Sequence, residues 1–243
     1  MKELNEKKIL IVGGSSGIGL ATAELLLEAG AKVIIAGRSQ AKLDSARERF
    51  ASYSDHLEAY ALDMMDEMQV IQLFEQRIKQ FDHLVISASE TSLVDFKNSE
   101  MSTVQELFAS KFFGPYQIVK HAAPWLSKDG SVTMFSGAAA FKPSKETVVL
   151  GSVNAAVTFL GQALAIELAP IRVNVVSPGM IDTPAHGNMD ATIRDQVFQH
   201  VASGLPVQRI GTAEEVAQSV LYLIQNEYTT GSVLHVDGGL SIA

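Results

Sequence analysis

The chain has 243 residues, 47% of them hydrophobic and 19% charged, with a formal net charge of −8. That length fits one large α/β domain over residues 1–243, and the acidic balance argues against a general nucleic-acid surface, leaving small molecules as the expected partners. Cysteine is absent, which excludes disulfides, thiolate metal sites and cysteine nucleophiles, so redox chemistry would need a cofactor.

Residues 1–8 are charged, and the apolar run that follows is too short for a signal peptide, which gives the expectation of a cytoplasmic protein. That run, 9–12, breaks into Gly13-Gly14-Ser15-Ser16-Gly17-Ile18-Gly19 and then into a helical pattern over 21–27. A strand that feeds glycines and a helix N-terminus reads as a phosphate-binding turn, because the glycines let the backbone turn tightly and approach a ligand. The next strand, 32–36, ends at Gly37-Arg38-Ser39 before a helix over 40–50. An NAD site places an acid there to bind the ribose hydroxyls, whereas an arginine accommodates a 2′-phosphate, so Arg38 favours NADP(H) over NAD(H).

Farther on, the pattern predicts a strand at 57–62 ending at Asp63-Met64, a helix at 66–81, a strand at 84–87 and a long helix at 103–126. Gly114-Pro115 lies inside that helix and predicts a kink or close packing. A strand at 131–135 and a helix at 147–168 follow. The segment 147–169 is the most apolar of the chain, yet it holds Asn154, Gln162 and Glu167, which suits a helix buried in protein contacts better than a membrane span. The remaining elements are a strand at 171–176 closed by Ser177-Pro178-Gly179, helices at 190–202 and 212–225, and a strand at 232–236 closed by Asp237-Gly238-Gly239. This alternation predicts a mainly parallel, doubly wound sheet with helices on both faces and ligands at the carboxyl ends of its strands.

Over essentially its full length the chain resembles the short-chain dehydrogenase/reductase superfamily. Gly13-x-x-x-Gly17-Ile18-Gly19 is similar to that family's glycine turn, with Val12 where a threonine is usual. Asp63 resembles the residue that meets the adenine, with Met64 beside it. Ile171-Arg172-Val173-Asn174-Val175-Val176-Ser177-Pro178-Gly179, with Ile181 and Thr183, resembles the segment around the nicotinamide, and Val236-Asp237-Gly238-Gly239 the C-terminal signature. The resemblance implies a Rossmann-like, seven-stranded sheet, in agreement with the seven strands read above. It further implies NADP(H) held by Gly13, Ser15, Ser16, Gly17, Ile18 and Gly19, by Arg38, Ser39, Asp63 and Met64, and by Pro178, Gly179, Ile181 and Thr183. A homodimer or homotetramer, built through the long helices flanking the fifth strand and through the last strand, is implied as well.

The reacting end departs from the family pattern. Members that reduce carbonyls place a tyrosine four residues before a lysine after the fifth strand, a serine just after that strand, and an asparagine in the preceding helix. Here Leu150 stands for the tyrosine, Asn154 for the lysine and Lys111 for the asparagine, while Gly137 matches the serine and leaves Ser136 one position early. The turn after the fourth strand is Ile86-Ser87-Ala88-Ser89 in place of Asn-Asn-Ala-Gly. Tyr116 and Lys120 have the tyrosine–lysine spacing but lie one helix too early, so they read as a packing aromatic and a surface charge. His186, shortly after Thr183 in the expected lid, is a second candidate acid, against the commoner reading of a lid histidine as surface. Ser136, Ser144 and Lys145 lie near the expected substrate mouth without a nameable partner, and no metal-ligand cluster is predicted.

Two functions remain open on these residues. One is an NADP-dependent oxidoreductase of a small carbonyl or alcohol, with Lys111, Asn154 and Ser136 as candidate catalytic groups and Lys111 close to the nicotinamide ribose. The other is a protein that binds NADP(H) without turnover, as a sensor, scaffold or partner subunit.

Overall fold

The computed structural model describes residues 4–88, 92–187 and 189–243. In chain order the strands are β1 (Lys8–Val12), β2 (Lys32–Gly37), β3 (Leu57–Ala61), β4 (Phe81–Ile86), β5 (Leu126–Phe135), β6 (Arg172–Pro178), β7 (Ile181–Asp182), β8 (Gly211–Thr212) and β9 (Val233–Val236). Seven of them form one sheet in the order β3-β2-β1-β4-β5-β6-β9, and every neighbouring pair in it is parallel. β7 and β8 pair separately.

Both faces of the sheet are covered, which is why β1 and β2 read as apolar runs after their first lysine and not as alternating ones. On one face α1 (Gly17–Glu28), α2 (Gln40–Arg49) and α8 (Ala213–Gln225) bury Leu26, Leu43 and Val220 against Ile9, Ile11, Ile35 and Val85. On the other, α3 (Glu67–Gln72), α5 (Gly114–Ala122) and α6 (Val148–Glu167) bury Val70, Ile118 and Val157 against Leu10, Val12, Leu84 and Val132. Each such side chain contributes about 1.5–3 kcal/mol through removal from water. α4 (Met101–Phe108) packs beside α6 through Leu107, Val149 and Val94, and α7 (Ala191–Ser203) lies in the connection between β7 and β8.

The strand order reverses between β1 and β4, so the crevice for a ligand opens at their carboxyl ends. There the backbone N–H groups of Ser87 and Ala88 both donate to the Val12 carbonyl, at 2.9 and 3.1 Å.

Three features differ from the sequence reading. The helix expected over 66–81 ends at Gln72, runs on as a π-helical turn over Leu73–Arg77, and gives way to β4 at Phe81. The apolar positions Val70, Leu73, Phe74, Ile78 and Phe81 keep helical spacing past the helix end because all of them line the same core cluster, with the Phe81 ring stacked on Phe74 at 6.1 Å. At the far end of the next long helix, Leu126 leaves helical structure and pairs with Phe81, so the two residues mistaken for helix ends face each other across β4 and β5. The register then breaks, and Ser131 pairs with His83.

The expected disturbance at Gly114-Pro115 takes the form of a π-helical turn over Ala109–Phe113. Pro115 has no N–H to return to the Lys111 carbonyl and its ring would collide with it, so the ladder widens and the Gly114 N–H reaches back to Ala109 O. Ser110 and Lys111 are buried in that turn. α6 is less buried than the sequence suggests. By length and composition it is apolar enough to cross a membrane, with 28% of its most apolar window buried, but Val149, Val153, Val157 and Gly161 face inward, and a Cβ on Gly161 would meet Val175 Cγ2 at 2.3 Å. It is a layer of the fold with an open apolar outer face.

Candidate functional site

The glycine turn is built by close approach. Gly13 has φ +92°, and a Cβ there would lie 2.5 Å from Ala88 N; one on Gly19 would lie 2.1 Å from Gly13 O. A side chain at Gly13 would push the turn off the segment that follows β4, and one at Gly19 would push α1 off the turn. Gly17, at φ +53°, lies beneath Thr183: a Cβ on Gly17 would come 3.5 Å from Thr183 Cβ, so the segment after β7 crosses the start of α1. Ser16 caps α1 in extended geometry without a side-chain capping bond, and the first turn holds no acid. The first N–H groups of α1 are therefore left to a ligand oxygen, the arrangement that receives a phosphate.

The end of β2 lies alongside. A Cβ on Gly37 would approach Ser15 Oγ to 3.1 Å, which brings Arg38 and Ser39 next to the turn. Arg38 is exposed, and Ser39 Oγ accepts the Lys42 N–H at 3.3 Å as the cap of α2. Beyond β3, the Asp63 carboxylate accepts the Met65 N–H and the Asp63 N–H donates to Gln69 Oε1, each at 3.0 Å. Met64 is buried and its carbonyl accepts from Gln117 Nε2. Gln69 and Gln117 fix the shape of this corner, and sequence reasoning passed over both.

Across the crevice, Pro178 and Gly179 end β6. The Gly179 N–H donates to Val236 O at 3.1 Å, and the Asp237 carboxylate accepts the N–H groups of Gly239 and Ser241, each at 2.9 Å. Ile181 is buried, and its strand β7 is held by β8 through the register Ile181↔Gly211 and Asp182↔Thr212, a brace the sequence pattern did not signal.

The expected reacting end is carried by Ser136, just past β5, by α6, and by the π turn, which packs against α6. The Ser136 hydroxyl donates to the main-chain carbonyl of Asn154 at 2.8 Å and lies 2.8 Å from Thr158 Oγ1, which also donates to that carbonyl at 2.9 Å. Ser136 thus clamps α6 to the end of β5. Thr158 was missed, although its place four residues after Asn154 puts both on one helix face. Asn154 is 2% exposed, and its Oδ1 is shielded from water with no hydrogen-bond partner. Lys111 is 3% exposed, and burial pushes its amine down from 10.5 to about 8. Leu150 is half-buried.

The other candidates are engaged elsewhere. Tyr116 is 46% exposed with its ring stacked on Phe112 at 6.3 Å, and Lys120 pairs with Glu67 at 3.0 Å, as the sequence reading anticipated. The Ser144 N–H donates to Thr147 Oγ1 at 2.9 Å in the turn before α6. His186 meets Phe198 edge-on at 5.4 Å. Ser89 lies outside the described residues.

A family model described as "Enoyl-(Acyl carrier protein) reductase" matches residues 12–241. The 3-oxoacyl acyl-carrier-protein reductase FabG of Thermotoga maritima is 31% identical over 98% of this chain and 99% of its own length. The chain belongs to the short-chain dehydrogenase/reductase family. Among solved structures, a small-chain dehydrogenase in complex with NADPH superposes with TM-score 0.83 at 33% identity, over 98% of this chain and 100% of the other. A short-chain oxidoreductase from Pseudomonas aeruginosa, described as containing an atypical catalytic center, superposes with TM-score 0.89 at 30% identity, over 100% of both chains. Family membership accounts for the seven-stranded sheet and the crevice at its reversal.

Proposed function

We propose that this protein transfers hydride between NADP(H) and a small carbonyl or alcohol, with Lys111 as the proton-bearing group at the reacting end. The observation that carries this reading is the Lys111 amine itself, 3% exposed in a π-helical turn and brought down to about 8 by burial, close to the pH at which a proton donor is most effective. The glycine turn fits a dinucleotide, since the sites where a Cβ would clash lie where backbone must approach pyrophosphate. Bound there, NADP(H) supplies the hydride. Gly13, Ser15, Ser16, Gly17, Ile18 and Gly19 would hold its pyrophosphate, Arg38 and Ser39 its 2′-phosphate, Asp63 and Met64 its adenine, and Pro178, Gly179, Ile181 and Thr183 its nicotinamide end.

The chain's own chemistry is then proton handling. Leu150 has no proton to give, so Lys111 Nζ holds the proton that a carbonyl oxygen takes up on reduction and receives it back on oxidation. Ser136 positions α6 through its bond to Asn154 O. The NADPH complex of the relative at 33% identity supports the choice of cofactor. A titration of the two reduced cofactors tests it: NADPH should bind more tightly than NADH, Arg38→Asp should reverse the order, and tighter NADH binding by the wild type would refute it.

The second reading, a cofactor-binding protein without turnover, is favoured by Leu150 at the position of the phenol. A screen of small carbonyls with NADPH, run beside a Leu150→Tyr, Asn154→Lys variant, separates the two. Turnover by the wild type that falls by about 10²–10⁴-fold in Lys111→Met supports catalysis; turnover only in the double variant supports the binding protein. The reading also includes a homo-oligomer, joined through the outer face of α6, where Phe159 is 72% and Ile166 82% exposed, and the neighbouring Phe113 and Tyr116.

A further inference from the structure

Gly137 is a glycine without a backbone reason. Its φ of 174° and ψ of 157° are extended values that any residue adopts, and it follows Ser136 just past the end of β5. What excludes a side chain is Asn154. A Cβ built on Gly137 would lie 2.8 Å from Asn154 Nδ2, 3.5 Å from its Cγ and 3.8 Å from its Oδ1, so the whole amide lies over the glycine.

The backbone that carries the amide is fixed. Its main-chain carbonyl is held by the hydroxyls of Ser136 and Thr158 at 2.8 and 2.9 Å, which pin that turn of α6 to the end of β5. Its Oδ1 is shielded from water and lacks a hydrogen-bond partner. A buried polar atom left in that state is costly, and nothing in the packing of α6 requires a polar side chain there. The neighbours Val153 and Val157 on the same helix are apolar and fully buried.

We propose that the Asn154 side-chain amide is the group that hydrogen-bonds the substrate oxygen in this site, occupying the space that a side chain on residue 137 would need. The proposal rests on the proposed hydride-transfer reading and deepens it by naming the oxygen ligand. The ligand class is a carbonyl or alcohol oxygen able to accept from Asn154 Nδ2, the amide atom nearest Gly137; Oδ1 is an acceptor and takes no part in that bond. Gly137 and Asn154 then form one unit, and a side chain at 137 displaces the donor.

The probe is 4-fluoroacetophenone, titrated by fluorine NMR into protein saturated with NADP⁺, a complex that cannot turn over. Asn154→Ala and Gly137→Ala should each weaken ketone binding by about three- to tenfold, the range of one net hydrogen bond to a neutral acceptor. The double variant should bind no more weakly than either single one, and NADP⁺ affinity should stay within about twofold throughout. Asn154→Leu, which keeps the volume and removes the donor, guards against a packing defect and should match Asn154→Ala. Unchanged ketone binding in the Asn154 variants, additive losses in the double variant, or a parallel loss of NADP⁺ affinity would each overturn the proposal. Failure of the hydride-transfer reading shows differently, as normal ketone binding without oxidation of NADPH by any carbonyl.

Discussion

Lys111 sets stability against chemistry, and the conflict is measurable by replacing it with methionine, which keeps the length of the stem and removes the charge. Burial holds the folded-state value at about 8 against 10.5, and each pH unit between them is worth about 1.4 kcal/mol. Below pH 8 both the folded and the unfolded chain carry the ammonium, so the folded state bears the full penalty of about 3 kcal/mol. Between pH 8 and 10.5 the folded protein has released the proton while the unfolded chain still holds it, so stability rises with pH across that window and levels off above it. Lys111→Met should therefore raise stability at pH 7 by about 3 kcal/mol, on the order of 5–10 °C in melting temperature for a chain of this size. It should also remove the rise above pH 8. Urea unfolding at pH 7, 8.5 and 10 on both proteins checks this. A methionine variant that is less stable than the wild type at pH 7, or a wild type whose stability is flat between pH 8 and 10, would refute the argument from desolvation. If Lys111 supplies the proton in carbonyl reduction, the same titration makes the reduction rate fall above pH 8, and a variant that is more stable and inactive is the expected signature of a residue kept for function.

Two more predictions concern groups outside the reacting end. His83 is buried on β4 with Nδ1 2.8 Å from Ser131 Oγ, and burial pushes it from 6.5 down to about 4. The unfolded chain takes up a proton below pH 6.5 that the folded protein refuses until about pH 4, so about 3 kcal/mol of stability is lost across that interval. His83→Gln should flatten this part of the acid unfolding curve relative to wild type, measured by urea unfolding at pH 7, 5.5 and 4.5. On α6, a Phe159→Asp, Ile166→Asp variant places two charges on the open apolar face and should convert the proposed homo-oligomer to a monomer in size-exclusion chromatography with light scattering, with the fold retained by circular dichroism; a wild type that is already monomeric would refute the proposed assembly. An unchanged mass would move the interface elsewhere.

The fold was legible because its signals are repeated and local. β1 and β2 are short runs of isoleucine, leucine and valine buried on both faces, and α2, α3, α7 and α8 begin at a side-chain cap such as Asp66, whose carboxylate accepts the N–H groups of Met68 and Gln69 at 3.0 and 3.2 Å. The errors fell where local periodicity and tertiary pairing disagree. Phe81 continues the helical spacing of Val70, Leu73 and Phe74, yet it belongs to a strand because Leu126, far along the chain, pairs with it. The two-residue sheet of β7 and β8 left no trace because so short a ladder has no period to detect.

At the site the same distinction decides what could be read. The cofactor end is a contiguous stretch whose glycines announce themselves, whereas the reacting end depends on which side chains share a volume after folding. The sequence places a serine beside a glycine after β5 and offers Ser136 as the catalytic hydroxyl. In the fold that hydroxyl is turned to the Asn154 carbonyl and to Thr158, a role in positioning α6, and the space in front of the glycine holds the Asn154 amide instead. Alignment by position alone compares one residue at a time, so it scores Leu150, Asn154, Gly137 and Lys111 as separate losses. The packing of Gly137 and Asn154 shows that these two are coupled: an amide at 154 reaches the space over 137 only if 137 has no side chain. It follows that restoring a phenol at 150 and an amine at 154 restores the family arrangement only in part, because with the amide gone the space over residue 137 stands empty until Gly137 is changed as well.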